Sequence, residues 1–376
     1  MFTAPVRATA YVAALEMAVR PGSVVVEVGA GAGLFSLLAC RLGAARVYAI
    51  EASPLLDLAP RLAADNGYAD QLTCIQALST QVELPERVDV LFGDLRGVLP
   101  YCRGSVASML DARDRFLKPD GVLIPRRDTL WCAVVHAPAP HDAIVGPWTE
   151  GSRGLDLHRG LDAVVNGWSG STIDREQLIS NAVRWGTINY ATASSPRLDG
   201  SADCTVARAA MGHGMAVWFD AELADGIGFS NAPGGPRLLY GQAFFPWRHA
   251  VDLRAGDVVH TAFRVVPGHP ESVWVWDTTI RDAHGNVRTT FQQSTFWAQV
   301  MPVDERRRRA DSHVPTLSSW GMVDRDILTW LDGRRSLGEV ATMVHERHPA
   351  EFKDWESAMA YVADVSRAHE LVDRER

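Results

Sequence analysis

The sequence predicts an α/β domain, then an antiparallel β domain, then a small helical module. Residues 1–124 alternate short apolar runs with helical patterns, which is typical of a doubly wound parallel sheet. From Pro125, short runs rich in β-branched and aromatic residues are separated by Gly, Pro and Asp clusters, which favours an antiparallel sheet or barrel. The helical pattern returns at Asp324. A chain of 376 residues has room for this organisation.

The first domain, predicted over residues 1–124, starts from a buried apolar strand that leads into a glycine-rich turn. Gly43 ends the first helical pattern, and Pro119-Asp120-Gly121 follows the last one, because glycine and proline interrupt helices. The predicted elements are strands over 24–26, 47–50 and 88–92 and helices over 34–42 and 109–117.

The second domain is predicted over residues 125–303, with an insertion at about 150–182 that reads as partly helical. Its strands are predicted over 129–135, 216–222, 237–245, 258–266, 272–280 and 289–300. The tryptophans on these segments, Trp247, Trp274, Trp276 and Trp297, are predicted to fill the core.

Residues 304–376 are predicted to be a linker and a module of three short helices. The basic run over 306–309 is typical of a solvated linker. Ile327, Leu328 and Leu331 share one helix face, and Ser336 with Glu339 has the spacing of a capping box at the start of the next helix.

Composition narrows the function. Thirty-seven Lys and Arg against 45 Asp and Glu give a formal charge of -8, which argues against nucleic acid as a partner. No uncharged apolar run is long enough to span a membrane, and the first 20 residues do not resemble an export signal. Five widely spaced cysteines fit a reducing cytoplasm, and no histidines have the spacing of metal ligands, so no metal is expected.

The segment from Val24 to Leu34 contains a possible cofactor turn with Gly29, Gly31 and Gly33. A strand precedes it, a helix follows it, and Glu51 ends the next strand, where a carboxylate can accept both hydroxyls of a ribose. A dinucleotide site normally has the spacing G-x-G-x-x-G, whereas this turn has E-x-G-x-G-x-G, which resembles the turn of class I methyltransferases that bind S-adenosylmethionine. An NAD site and a purely structural turn are the alternatives.

Further along, the chain resembles the protein arginine methyltransferase family over roughly residues 6–300. The matching segments are Val47 to Glu51, Val82 to Pro85, and Ala112 to Leu130. The resemblance implies a Rossmann-like domain that binds S-adenosylmethionine, joined at Pro125 to a β-barrel. It also implies that the insertion at about 150–182 is a dimerisation arm and that the enzyme is a homodimer.

The resemblance also implies the cofactor contacts. Arg7, with Tyr11 on the same helix, matches the arginine that grips the cofactor carboxylate, and Glu27 is expected near the methionine amino group. Thr80 replaces the glutamate that usually contacts adenine. The residues expected to bind the cofactor are Arg7, Glu27, Gly29, Gly31, Gly33, Glu51, Ala52, Leu78, Ser79 and Asp94.

The acceptor site departs from the family pattern. Asp94 takes the place of the first glutamate that clamps the substrate guanidinium, and Arg103 takes the place of the second. At about 5 Å and an effective dielectric near 20, exchanging an attractive for a repulsive unit charge changes guanidinium binding by roughly 6 kcal/mol. Leu238-Leu239-Tyr240 replaces the family's Thr-His-Trp, so Leu239 and Tyr240 are expected at the substrate. An Arg103 that points to the surface is the alternative.

The segment from Asp324 to Val372 resembles the helical part of PqqD-like modules, which hold a peptide during its modification. A helical cap on the β domain is the alternative. Together the motifs predict an S-adenosylmethionine-dependent methyltransferase that acts on a non-guanidinium oxygen or nitrogen of a peptide or amino-acid-derived natural product. Asp94 and Arg103 are the expected catalytic residues. The alternatives are arginine N-methylation with a rebuilt acidic clamp and a non-catalytic scaffold that recruits a peptide.

Overall fold

A computed structural model describes residues 5–149, 155–236, 238–268, 271–298, 308 and 312–369. The chain divides into two compact units, Met1–Val300 and Met301–Arg376. The first unit contains a parallel sheet followed by two antiparallel sheets, and the second contains helices. The predicted fold class is confirmed.

The parallel sheet has the strand order β3-β2-β1-β4-β5. All five residues of β1 are buried, because helices cover both faces of a doubly wound sheet. The strands are β1 (Val24–Val28), β2 (Arg46–Glu51), β3 (Leu72–Gln76), β4 (Val88–Gly93) and β5 (Leu117–Ile124), and the helices are α1 (Pro5–Ala18), α2 (Leu34–Arg41), α3 (Leu58–Asp65) and α4 (Ser105–Phe116).

The sequence prediction located three of these strands and missed β3 and β5. In β3 only Leu72 and Ile75 are buried, so its sequence lacks the continuous apolar run of a central strand. The segment Pro119-Asp120-Gly121, read as the end of a helix, lies inside β5. Strand pairing there jumps from Val88 opposite Leu117 to Val90 opposite Val122, so this segment bulges from the sheet edge.

The antiparallel region consists of two sheets with the orders β7-β12-β10-β6-β8 and β15-β14-β13-β9, and β11 pairs with β10. Its strands are β6 (Arg127–Val135), β7 (Ser169–Ser171), β8 (Val183–Asn189), β9 (Leu198–Thr205), β10 (Ala210–Ala224), β11 (Ile227–Ser230), β12 (Gln242–Leu253), β13 (Val258–Val266), β14 (Val273–Arg281) and β15 (Val287–Ser294).

Three predictions in this region were wrong. The strand predicted over 237–245 instead begins at Gln242 and continues to Leu253, through Pro246, which lies opposite Gly214 beside a register shift in β10. Trp247, Trp274 and Trp276 are fully buried as predicted, but the Trp297 side chain is 55% exposed. The strand predicted over 289–300 ends at Ser294, and residues 299–300 lie outside the described part of the chain.

The insertion between β6 and β7 is helical and begins earlier than expected. It contains α5 (Pro138–Thr149) and α6 (His158–Val165), which pack together through Val145, Leu161 and Val165. We refer to residues 138–165 as the arm, of which residues 150–154 are not described.

The second unit contains the three predicted helices, α7 (Ser319–Trp330), α8 (Leu337–Arg347) and α9 (Trp355–His369). Val323, Ile327, Val340, Val344 and Val362 form its buried core. The capping box of Ser336 and Glu339 is confirmed, with both reciprocal hydrogen bonds present. Across both units, no described helix is long and apolar enough to cross a membrane.

Candidate functional site

The glycine-rich turn after β1 requires the residues that the sequence places there. Gly29, Gly31 and Gly33 have φ angles of 77°, 56° and 74°, in the left-handed region that disfavours other residues. A Cβ atom at Gly33 would lie 2.7 Å from the Cβ of Ala59 on α3. A Cβ atom at Gly29 would lie 2.2 Å from Cδ2 of Leu95. The turn is therefore a narrow cradle of backbone between β1, α3 and the segment after β4.

Glu51 lies at the end of β2 beside this turn. Its Oε2 accepts a hydrogen bond from the backbone N–H of Gly31 at 3.0 Å, and its Oε1 accepts one from Ser53 at 2.8 Å. The side chain is half-buried, and the carboxyl ends of parallel strands are where such sheets bind ligands. The structure thus brings Glu51 and the glycine turn together, which suits a ligand with vicinal hydroxyls.

Glu27 is buried in β1 with only 2% of its surface exposed. The hydroxyl of Ser36 on α2 donates a hydrogen bond to its Oε2. Burial raises the pKa of Glu27 to about 8, the Ser36 hydrogen bond opposes that shift, and the negative charge of Glu51 adds to it. A carboxyl held partly protonated at neutral pH would become ionised beside an ammonium group.

Asp94 follows β4 directly and meets a basic environment. Its carboxylate forms an ion pair with Arg7 of α1, and the Nη1 of Arg96 lies 3.7 Å from its Oδ1. The hydroxyl of Tyr11, also on α1, donates a hydrogen bond to the carbonyl of Gly93 at 2.9 Å. Helix α1 is thereby fastened across the end of β4. Arg7 and Asp94, both expected at the cofactor, pair with each other, a contact that the sequence analysis did not predict.

A second ion pair behind Asp94 was not found from the sequence. Arg96 donates hydrogen bonds to both carboxylate oxygens of Asp128 at 2.9–3.1 Å and one to the Tyr11 hydroxyl at 2.8 Å. The hydroxyl of Tyr190 donates to Asp128 at 2.7 Å. The side chains of Arg96 and Asp128 are 3% and 0% exposed, so each neutralises a charge that would be costly to bury alone.

Tyr240 and Leu239 separate in the structure. The Tyr240 hydroxyl is buried and has no hydrogen-bond partner among the described residues. Burial raises its pKa, and the positive charges of Arg7 and Arg96 act against that shift. Its ring lies 6.4 Å from that of Phe219, and the Arg96 guanidinium lies 5.9 Å from the same Phe219 ring. Asp94 Oδ1 is also buried and accepts no hydrogen bond from the part of the chain that the structure describes. Leu239 is 67% exposed, so its side chain faces solvent and not the buried surroundings of Asp94.

Arg103 is exposed, in contrast to the pocket position expected for it. Its backbone has a φ of 46°, and its N–H donates a hydrogen bond to Oε2 of Glu271 at 3.1 Å. A carboxylate from the loop between β13 and β14 thus lies next to the position where the family has its second glutamate. The prediction that the Arg103 side chain pairs with substrate has no support in these contacts.

The remaining predicted cofactor residues lie at the ends of β2 and β3. Ala52 and Leu78 are exposed, and Ser79 is buried, with its carbonyl accepting a hydrogen bond from Arg115. Thr80 is exposed. No group of three or more His, Cys, Asp or Glu among the described residues could hold a metal ion.

Comparison with known proteins agrees with this arrangement. The family model for ribosomal protein L11 methyltransferase (PrmA) matches residues 8–124. The chain is 28% identical over 262 residues to the arginine N(omega)-methyltransferase of Streptomyces achromogenes subsp. streptozoticus, covering 67% of this chain and 71% of that protein. It is 26% identical over 273 residues to protein arginine N-methyltransferase 6 of Danio rerio, covering 67% and 75%.

Solved structures support the fold. Protein arginine methyltransferase 10 of Arabidopsis thaliana superposes with a TM-score of 0.69 at 22% identity, covering 78% of this chain and 95% of that one. The Trypanosoma brucei PRMT1 enzyme-prozyme complex with AdoHcy gives a TM-score of 0.71 at 20% identity, with the same coverage. The glycine turn, Glu51, and Asp94 with its partner Arg7 are compatible with the cofactor of such enzymes. The chain is an S-adenosylmethionine-dependent methyltransferase with the architecture of the protein arginine methyltransferases.

Proposed function

We propose that this methyltransferase acts on a non-guanidinium oxygen or nitrogen of a peptide or amino-acid-derived natural product. The observation that carries the proposal is the charge around Asp94. The carboxylate is paired with Arg7, Arg96 lies beside it, and the position of the second clamping glutamate holds Arg103. A guanidinium would have to displace cations already bound and would find no second carboxylate at position 103.

The cofactor contacts belong to the same proposal. Bound S-adenosylmethionine supplies an electrophilic methyl group on a sulfonium. Glu51 would accept the ribose hydroxyls, and Glu27 would face the amino group of the cofactor. Arg7, whose guanidinium also pairs with Asp94, would contact the cofactor carboxylate. Gly29, Gly31 and Gly33 would let the backbone approach closely, and Ala52, Leu78 and Ser79 would line the adenine side.

The acceptor would be positioned by Asp94 and Tyr240. Each has a buried oxygen without a hydrogen-bond partner among the described residues, Oδ1 in Asp94 and the phenolic hydroxyl in Tyr240. Asp94 Oδ1 can accept a proton or a hydrogen bond from the acceptor. The Tyr240 hydroxyl can donate a hydrogen bond to the acceptor. Holding the nucleophile in line with the methyl group then provides most of the rate. Arg103, being exposed, would contact only outer parts of the acceptor.

A second candidate is arginine N-methylation, which is the activity named for the Streptomyces relative. The observation that favours it is Glu271, whose carboxylate accepts a hydrogen bond from the backbone of Arg103. Glu271 and Asp94 would then form the rebuilt acidic clamp.

One set of assays separates the two candidates. Wild type, Asp94→Asn and Glu271→Gln are incubated with labelled cofactor and with free arginine, arginine-rich peptides, or carboxylate- and amine-bearing peptides. We expect methylation only of the non-guanidinium acceptors, a loss of at least about tenfold in kcat for Asp94→Asn, and no change for Glu271→Gln. Methylation of arginine that requires both carboxylates would establish the second candidate instead.

We further infer a homodimer formed through the arm, a reducing compartment such as the cytoplasm, and a peptide-holding role for α7 to α9. Two exposed leucines just before α6, Leu155 and Leu157, support the dimer. The Trypanosoma brucei structure named above is a heterotetrameric complex.

All five cysteines are free thiols, which supports a reducing compartment such as the cytoplasm.

A further inference from the structure

A groove of about 810 Å³ runs along β5, between α1 on one side and the beginning of β6 and end of β10 on the other. It contains none of the glycine turn, Glu51 or the segment from Asp94 to Arg96. It is therefore a separate feature from the candidate active site. Its volume lies within the range of protein ligand pockets.

The groove carries positive charge on an acidic protein. Five cations and three carboxylates line it, which gives a net charge of about +2 where the whole chain carries -8. The cations are Arg87, Arg113, Lys118, Arg126 and Arg127, and the carboxylates are Asp114, Glu222 and Asp225. Such a local reversal of sign attracts anionic groups.

Three of the cations remain accessible although they have partners. Arg126 and Arg127 are 48% and 49% exposed and pair with Asp225 and Glu222 at the end of β10. Lys118 is 39% exposed and pairs with Asp89 outside the groove lining. Exposed pairs of this kind contribute little stability, so a ligand carboxylate can exchange with the 83%-exposed Asp225.

The groove also offers apolar surface and an open strand edge. Met17 and Val122 are 49% and 40% exposed within it. Strand β5 ends its sheet, so its outer edge pairs with no strand in the described part of the chain. An extended chain can lie along the regular part of this edge, residues 122–124, beyond the bulge at residues 119–121, and place alternate side chains on the apolar surface and toward the cations.

We propose that this groove binds an extended acidic peptide segment in which carboxylates alternate with apolar residues. The charge selects glutamate or aspartate, and Met17 and Val122 select the intervening apolar side chains. The proposal concerns binding alone and holds for either acceptor considered above.

Fluorescence anisotropy tests it on the full-length protein. The probe is a labelled peptide of about ten residues with alternating glutamate and valine, and the comparison peptide replaces every glutamate with lysine. We expect saturable binding of the acidic peptide only, weakening as salt increases. Arg126→Gln/Arg127→Gln should weaken it about tenfold, while the control Arg184→Gln/Arg254→Gln, which removes two exposed arginines outside the groove, should not.

A gain-of-affinity variant guards against misfolding as an explanation. Glu222→Gln/Asp225→Asn removes competing carboxylates and should tighten binding several-fold, a direction that a folding defect cannot produce. Equal binding of both peptides, or equal losses in the groove and control variants, would overturn the proposal. A third outcome would also overturn it. If the wild type binds no peptide and light scattering shows that Arg126→Gln/Arg127→Gln turns a dimer into monomers, a second copy of the chain occupies the groove.

Discussion

Glu27 shows how a single residue can link cofactor chemistry to pH. Its carboxyl is buried next to Ser36 and near Glu51, and burial raises its pKa to about 8. In the unfolded chain the group titrates near its ordinary value of 4.5. The folded state therefore binds a proton more tightly than the unfolded state, and the stability that this provides is lost as the pH rises through about 8.

We predict that Glu27→Gln removes this dependence, because the amide cannot ionise. Between about pH 5 and about pH 8 the free energy of unfolding of the cofactor-free wild type should fall, relative to the variant, by on the order of 3 kcal/mol. Urea denaturation at both pH values measures the difference, and other titrating groups cancel between the two proteins. Parallel pH profiles would show that Glu27 is ionised throughout.

Glu51 is the second residue on which the cofactor proposal rests. Glu51→Ala should weaken S-adenosylhomocysteine binding by at least about tenfold in calorimetry, since both ribose hydrogen bonds are lost. The carboxylate also holds the N–H groups of Gly31 and Ser53, so the melting temperature must be measured beside the affinity. Glu86→Ala, at an exposed ion pair with Arg46, is the matched control. Unchanged affinity in Glu51→Ala would remove Glu51 from the ribose site.

At the scale of elements, the contact between the glycine turn and α3 limits how the first βαβ unit can vary. Gly33 and Gly67 have similar positive φ angles, 74° and 76°. A Cβ atom at Gly33 meets Ala59, whereas one at Gly67 meets nothing within 4 Å. The pair therefore separates backbone strain from steric conflict.

We predict that Gly67→Ala costs about 1 kcal/mol of unfolding free energy and that Gly33→Ala costs about 1–3 kcal/mol more. Chemical denaturation measures both. Equal losses would show that α3 moves freely away from the turn.

Sequence patterns succeed where an element is buried on both faces. β1, β2 and β4 are near-continuous apolar runs, and their locations follow from this alone. β8 contains an exposed Arg184 and the glycine Gly186, which interrupt its period. β9 alternates between inner and exposed positions, but its inner residues after Leu198 are the small Gly200, Ala202 and Cys204, so its apolar signal is weak. These strands form because they pair with β6 and β13, which no local pattern records.

The candidate site divides in the same way. The glycine turn and Glu51 are adjacent in one βαβ unit, so spacing alone locates them. The pair of Arg96 and Asp128 joins residues 32 positions apart, and Glu271 reaches Arg103 across 168 positions. Only the tertiary fold brings these together. Asp128 is fully buried, but it follows two exposed arginines at the start of β6, so its sequence neighbours do not indicate a buried ion pair.

At the scale of the whole molecule, the arm decides the proposed oligomeric state. Leu155 is 69% exposed beside a pair of helices with their own apolar contacts. We predict that the wild type has twice the 41.1 kDa mass of the chain in multi-angle light scattering and that Leu155→Glu has the mass of a monomer. The control is Val287→Glu, which places the same charge at a 57%-exposed position on β15. A dimer that survives Leu155→Glu would exclude Leu155 from the dimer contact.

Arg96 also links the parallel sheet to the antiparallel region. Its guanidinium lies between Asp94, which follows β4 of the parallel sheet, and Asp128 on β6, the first antiparallel strand. A shift of β6 would move the guanidinium and so change the electrostatic potential at the Asp94 carboxylate. Substitutions in the antiparallel sheets, far from the acceptor, can therefore change which acceptor the enzyme methylates. The parallel-sheet domain that would bind the methyl donor need not change.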